Sequence, residues 1–128
     1  MFRKFSISDL SNTEADIYMK ALCYAASSDG VIQLQEREFI GEQAKLLSID
    51  PGEYLEKPPT DLSFLGNFET SGALRQVIFR DCMLIVASDG FVDDLEKTAL
   101  LEIADKLSLK NQQVEEIGNW VKELKYNL

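Results

Sequence analysis

Apolar residues recur at three- and four-residue intervals along most of this chain. Ile17, Ala21, Leu22 and Ala25 form one such stripe and predict a helix running to about Ser28. Ser11-Asn12-Thr13-Glu14 opens it with the spacing of a capping box, in which hydroxyl and carboxylate satisfy first-turn amides. Phe39, Ile40, Gln43 or Ala44, and Leu47 predict a second helix from about Leu34 to Leu47. Leu74, Val77, Ile78, Cys82, Ile85 and Val86 predict a long one from Ala73 to Ser88. A further capping box, Asp93-Asp94-Leu95-Glu96, predicts a helix to about Leu107. Lys110 or Asn111 opens the last, with Val114, Ile117, Trp120 or Val121, and Leu124 inward.

Turn chemistry separates these segments. Asp29-Gly30 and Asp89-Gly90 each stop a helix, because glycine adopts the left-handed conformation that a helix end requires. Val31 and Ile32 are apolar in a short connection and are expected to enter the core. Asp50 is a good N-cap and Pro51 suits a first helical position, while Pro58-Pro59 ends that short helix by about Glu56. Thr60 to Leu65 forms one or two turns, and Gly66 to Gly72 is the seam between the halves. Asp81 interrupts the stripe of its helix. A buried unpaired carboxylate is costly, so it pairs with Arg75 or Arg80, lies at the stripe's edge, or faces a polar pocket.

The two halves repeat. Shifting residues 22–49 by sixty positions matches Ser28, Asp29, Gly30, Glu36, Glu42, Ala44, Leu47 and Ser48 with identical residues, without a gap. A helical hairpin cannot bury its apolar face alone, so the copies are expected to pack on each other. The expected architecture is all-α: one domain over residues 1–128, a bundle of about six to seven helices. Two pseudo-two-fold related helical-hairpin repeats build it, one over about 12–56 and the other over about 72–126.

Charge and composition narrow the function. The 128 residues carry a net charge of −9, with 22 acidic against 13 basic side chains spread over both halves. Such a field repels phosphate backbones and excludes nucleic acid as a partner; it favours cations or a basic protein patch. There is no histidine, which removes the commonest general base and metal ligand. Cys23 and Cys82 lie mid-helix on apolar stretches and read as buried, reduced thiols. The first residues lack the apolar run of a signal peptide, and no run approaches membrane-spanning length. The expected location is the cytoplasm, with no integral membrane segment.

The acids of the two loops have two readings. Asp-Gly-x-apolar-x-x-x-Glu has the spacing of positions five, six, eight and twelve of an EF-hand calcium loop. The leading aspartates are missing, so a working EF-hand is not expected. Capping explains such residues more commonly than ion sites do. On that reading Asp29 and Asp89 end helices or bind turn amides, Glu36 and Glu96 sit favourably in first turns, and Asp93 is an N-cap. On the other reading Asp29, Glu36, Asp89, Asp93 and Glu96 hold a hard cation, Ca²⁺ or Mg²⁺. Its motive is the acid at both ends of the loop in both copies. The second copy is the richer, because Asp93 and Asp94 add oxygens.

At these residues the sequence resembles the TerB family, named for tellurite resistance, whose fold also precedes the J-domain of some membrane-anchored co-chaperones. The resemblance rests on Ala25-Ala26-Ser27-Ser28-Asp29-Gly30-Val31-Ile32 with Glu36, followed by Ala44-Lys45-Leu46-Leu47-Ser48. It rests equally on Val86-Ala87-Ser88-Asp89-Gly90-Phe91-Val92 with Asp93 and Glu96, followed by Ile103-Ala104-Asp105-Lys106-Leu107. It implies an all-helical pseudo-two-fold domain and metal-holding acids at Asp29, Glu36, Asp89 and Glu96. It also implies a stress-response role at the cytoplasmic face of the membrane, exerted through partner proteins.

The expected function is therefore a non-enzymatic, TerB-like interaction module that meets the membrane only through its protein partner. Two rivals remain. One is a metal-dependent enzyme using carboxylates around Asp81 and Asp89, eight positions apart on one helix. The other is a structural subunit whose Tyr54, Phe64, Phe68 or Tyr126 form a contact patch, for example between copies of the chain.

Overall fold

A computed structural model describes residues 7–66, 68–87 and 92–126, with side chains as far as Lys122. Among these residues the chain forms six α-helices and two 3-10 turns, Ile7–Asp9 and Ser63–Leu65, and no strand. The helices are α1 (Asn12–Ala26), α2 (Leu34–Leu47), α3 (Gly52–Glu56), α4 (Gly72–Val86), α5 (Asp94–Lys106) and α6 (Asn111–Tyr126). Ser88, Asp89, Gly90 and Phe91 lie outside the described residues, as do the side chains of Leu124 and Tyr126.

The most extensive contact joins α1 and α4. These two helices begin and end sixty positions apart. Their N-caps use the same device, with Ser11 Oγ accepting from the Glu14 amide and Ser71 Oγ from the Leu74 amide, each at 3.2 Å. Their C-caps, Ser27 and Ala87, share φ −90° with ψ within a degree. Helices α2 and α5 also begin sixty positions apart and end alike. The Ile49 amide reaches Ala44 O at 2.9 Å and the Leu109 amide reaches Ala104 O at 3.0 Å. Between them Ser48 and Ser108 turn the backbone left-handed, both at φ 57°.

Helix α1 is buried far beyond one stripe. Ala15, Tyr18, Met19, Cys23 and Ala26 join the expected Ile17, Ala21, Leu22 and Ala25 in the core. The cause is its central position: α2, α3, α4, α5 and the second 3-10 turn all pack on it. It stops at Ala26, two residues before the expected end, because the Gly30 amide turns back to Ser27 O at 2.9 Å and Gly30 takes φ 98°.

Other expectations shift by small, explicable amounts. Ile32 enters the core, but Val31 is 59% exposed, since consecutive side chains of an extended connection point opposite ways. Pro51, rather than Asp50, occupies the N-cap of α3, while Asp50 Oδ1 accepts from the Gly52 amide at 2.9 Å. On α6, Val121 is buried and Trp120 is half-exposed with the Arg80 guanidinium 5.7 Å from its ring centre. Cys23 and Cys82 are buried free thiols, and burial pushes Cys23 up to about 12.

Candidate functional site

Asp81 has found a partner across the helix interface. It is buried on α4, its Oδ1 accepting from Arg80 Nε at 2.7 Å and its Oδ2 from the Tyr18 hydroxyl at 2.6 Å. The Tyr18 hydroxyl also lies 3.3 Å from Gln43 Oε1, so α1, α2 and α4 meet at one polar knot. Burial first, and the Asp81 charge second, push the Tyr18 phenol well above its ordinary range. Arg80 was one of two expected partners; nothing in the spacing pointed to Tyr18.

The loop acids divide differently. Glu36 and Glu96 are each only 4% exposed, at the third position of α2 and α5. Each turns its carboxylate back to the residue before its helix: Glu36 Oε1 accepts from the Gln33 amide at 2.7 Å and Glu96 Oε1 from the Asp93 amide at 3.1 Å. Asp93 completes the box, its Oδ1 accepting from the Glu96 amide at 2.8 Å. Asp29 is half-buried and binds the Val31 amide at 3.2 Å, closing the turn after α1. The capping roles expected of Asp29, Glu36, Asp93 and Glu96 are thus present.

The packing of the halves adds a second relationship. Asp29 from the first loop, with Asp93 and Glu96 from the start of α5, brings three carboxylate oxygens within 4.8 Å of one another. Calcium sits about 2.3–2.6 Å from its oxygen ligands, so two ligands of one ion lie up to about 5 Å apart. The grouping therefore fits a hard cation in the spacing of its donors. Of the five acids expected at an ion site, three meet; Glu36 stands outside this grouping, and Asp89 lies outside the described residues. The grouping joins the turn after α1 to the start of α5, whereas the EF-hand spacing had suggested one loop per ion. The position of Asp29 against α5 depends on how the hairpins dock, and no local pattern encodes it.

A groove adjoins the three carboxylates. The C-terminal end of α1, the Pro58-Pro59-Thr60 segment and one face of α5 enclose a hollow of about 460 Å³. Ser28 and Gly30, on either side of Asp29, line it, as does Leu95, between Asp93 and Glu96. Within it the Tyr24 hydroxyl donates to Glu102 Oε2 at 2.9 Å, tying α1 to α5. Burial first, then this bond, pushes Tyr24 up to about 12.

Tyr54, Phe64 and Phe68, expected in one reading to form a contact patch, are half-buried against the core. Among the described residues the large exposed apolar side chains are aliphatic: Val31, Leu34, Leu46, Val92, Leu95 and Leu101. No helix among these residues is long and apolar enough to cross a membrane. Comparison with protein-family models, with curated proteins and with solved structures finds no match to this chain.

Proposed function

We propose that this chain is a non-enzymatic, cytoplasmic helical module of TerB type that binds a divalent cation and acts through a protein partner in a stress response. Two hairpins related by a pseudo-two-fold axis account for the matching caps and turns sixty positions apart. The observation that carries the cation reading is the meeting of Asp29 with Asp93 and Glu96 across the two halves. Three carboxylates drawn this close repel one another, and a hard cation with oxygen preference relieves that repulsion. The ion would then lock the first loop onto α5. Asp81, the residue on which a carboxylate enzyme would depend, is held in the core by Tyr18 and Arg80 and lines none of the grooves described.

Calorimetric titration with calcium and with magnesium tests the reading on the wild type and on Asp29→Asn. The variant keeps an acceptor for the Val31 amide and leaves the α5 cap intact. Saturable heat in the wild type, weakened about tenfold or more in Asp29→Asn, is the expected result. No saturable heat up to millimolar ion, or equal heat in both proteins, overturns the cation reading.

A further inference from the structure

We infer that the groove between α1, α5 and Pro58-Pro59-Thr60 docks a basic peptide segment of a partner protein, with an apolar side chain between lysines or arginines. This inference rests on the reading of the chain as a partner-binding module and is independent of the cation.

The groove offers two kinds of surface. Leu95, 61% exposed, lines it together with Pro58 and Pro59, so an apolar side chain entering here removes aliphatic surface from water. At one end the groove runs into a second hollow of about 280 Å³, sharing Tyr24, Thr60 and Glu102 and adding Asp61, Asp105 and Lys106. That end holds three acids against one base. The ion pairs among the described residues are Lys20 with Asp16 and Arg80 with Asp81, so Asp61, Glu102 and Asp105 enter none. Glu102 is already oriented by the Tyr24 hydroxyl, which reduces the ordering cost of binding.

The backbone wall points the same way. Pro58 and Pro59 have no N–H, so their main chain offers acceptors only, which suits an occupant rich in donors. Charge removes the other candidates. Nucleic acid, an anionic lipid surface and a second copy of this chain at net −9 all meet like charge here. A cationic segment is instead steered in, its lysines or arginines meeting Asp61, Glu102 and Asp105 and its apolar side chain meeting Leu95.

The test is an amide-resolved NMR titration of the full chain with an alternating lysine–leucine peptide, and with its glutamate–leucine counterpart, at physiological salt. The expected shifts fall on Tyr24, Thr60, Thr98 and Glu102 and are absent with the acidic peptide. Leu95→Ser and Glu102→Gln are each expected to weaken binding about fivefold or more. Leu95 is an exposed side chain, so Leu95→Ser tests the groove without disturbing the core. No binding, shifts scattered over the acidic surface, or wild-type affinity in both variants overturns the inference. Immobilised protein separates this failure from that of the wider reading. If wild type and Leu95→Ser retain the same cytoplasmic protein equally, the module reading stands and the groove is wrong. If neither retains any, both fall. Calcium heat unchanged in Leu95→Ser shows that the cation reading is being measured separately.

Discussion

Tyr18 and Asp81, sixty-three positions apart, meet inside the α1–α4 interface with the hydroxyl 2.6 Å from the carboxylate. Each makes the other tolerable there. Asp81 would otherwise be a buried charge with Arg80 alone, and Tyr18 a buried hydroxyl held only by Gln43. Tyr18→Phe is therefore expected to destabilise the fold by about 1–3 kcal/mol in urea unfolding. The double variant Tyr18→Phe/Asp81→Asn is expected to lose less than the sum of the singles, with a coupling of about 0.5–3 kcal/mol. Strict additivity would show that the bond contributes nothing of its own.

Ser48 and Ser108 share a left-handed backbone at φ 57° after α2 and α5. A side chain there carries a steric cost that glycine does not. Ser48→Gly and Ser108→Gly are each expected to raise stability by about 0.5–1 kcal/mol, and the β-branched Ser48→Val to lower it by at least about as much. Equal shifts at the two sites in the urea midpoint would show that the ends of the two hairpins are energetically alike. A loss of stability in both glycine variants would place the serine hydroxyls, and not the backbone, in control of these turns.

Four hydrogen-bonded groups shape the stability of the protein against pH, beside the buried Tyr18 and Cys23. The Ser11 amide and the Thr70 hydroxyl hold Glu14 below its ordinary 4.5. Burial raises Asp16, but the Tyr54 hydroxyl and Lys20 together outweigh it and leave it below 3.8. A depressed carboxyl contributes fully above its unfolded value, and that contribution is lost as pH falls through the folded one. Burial first, then Glu102 or Asp16, pushes Tyr24 and Tyr54 up to about 12. A raised phenol contributes fully below its unfolded value of 10.0, and that contribution is lost as pH rises through about 12. The chain has no histidine. Cys23, raised from its ordinary 9.0, begins to lose its contribution first on the alkaline side, so scanning calorimetry should show a plateau in melting temperature from about pH 5.5 to 8, falling on both sides. Tyr54→Phe removes a 2.5 Å bond to Asp16 and should soften both limbs. An unchanged profile in that variant contradicts the assignment.

The helices were legible because their signals are local. A three- to four-residue apolar period, the Ser11 and Asp93 capping boxes and the Asp29-Gly30 stop need no knowledge of distant contacts, and each appears as read. What escaped depends on docking. A stripe of four residues was visible on α1, yet helices on several sides bury nine of its 15 residues. The three-carboxylate grouping escaped for the same reason. The loop spacing suggested ligands within one loop, while packing sets Asp29 against the start of α5. Asp81 shows the intermediate case: its misfit and its Arg80 partner were legible on its own helix, and its Tyr18 partner, on another helix, was not.

Asp93 holds two positions at once, and the two can be separated. Its Oδ1 caps α5 through the Glu96 amide at 2.8 Å, and its carboxylate also stands beside Asp29 and Glu96. Asparagine preserves the cap and removes the charge; alanine removes both, at about 1 kcal/mol for the cap. With calcium chelated, Asp93→Asn is expected to be at least as stable as wild type, because one of three mutually repelling charges is gone. With calcium at a hundredfold its dissociation constant, wild type gains about 2.7 kcal/mol and overtakes the variant. Asp93→Ala should remain the least stable in both conditions. Thermal melts of the three proteins with calcium and with chelator measure the order. An order that does not change with calcium removes the cation from the account and leaves Asp93 a helix cap alone.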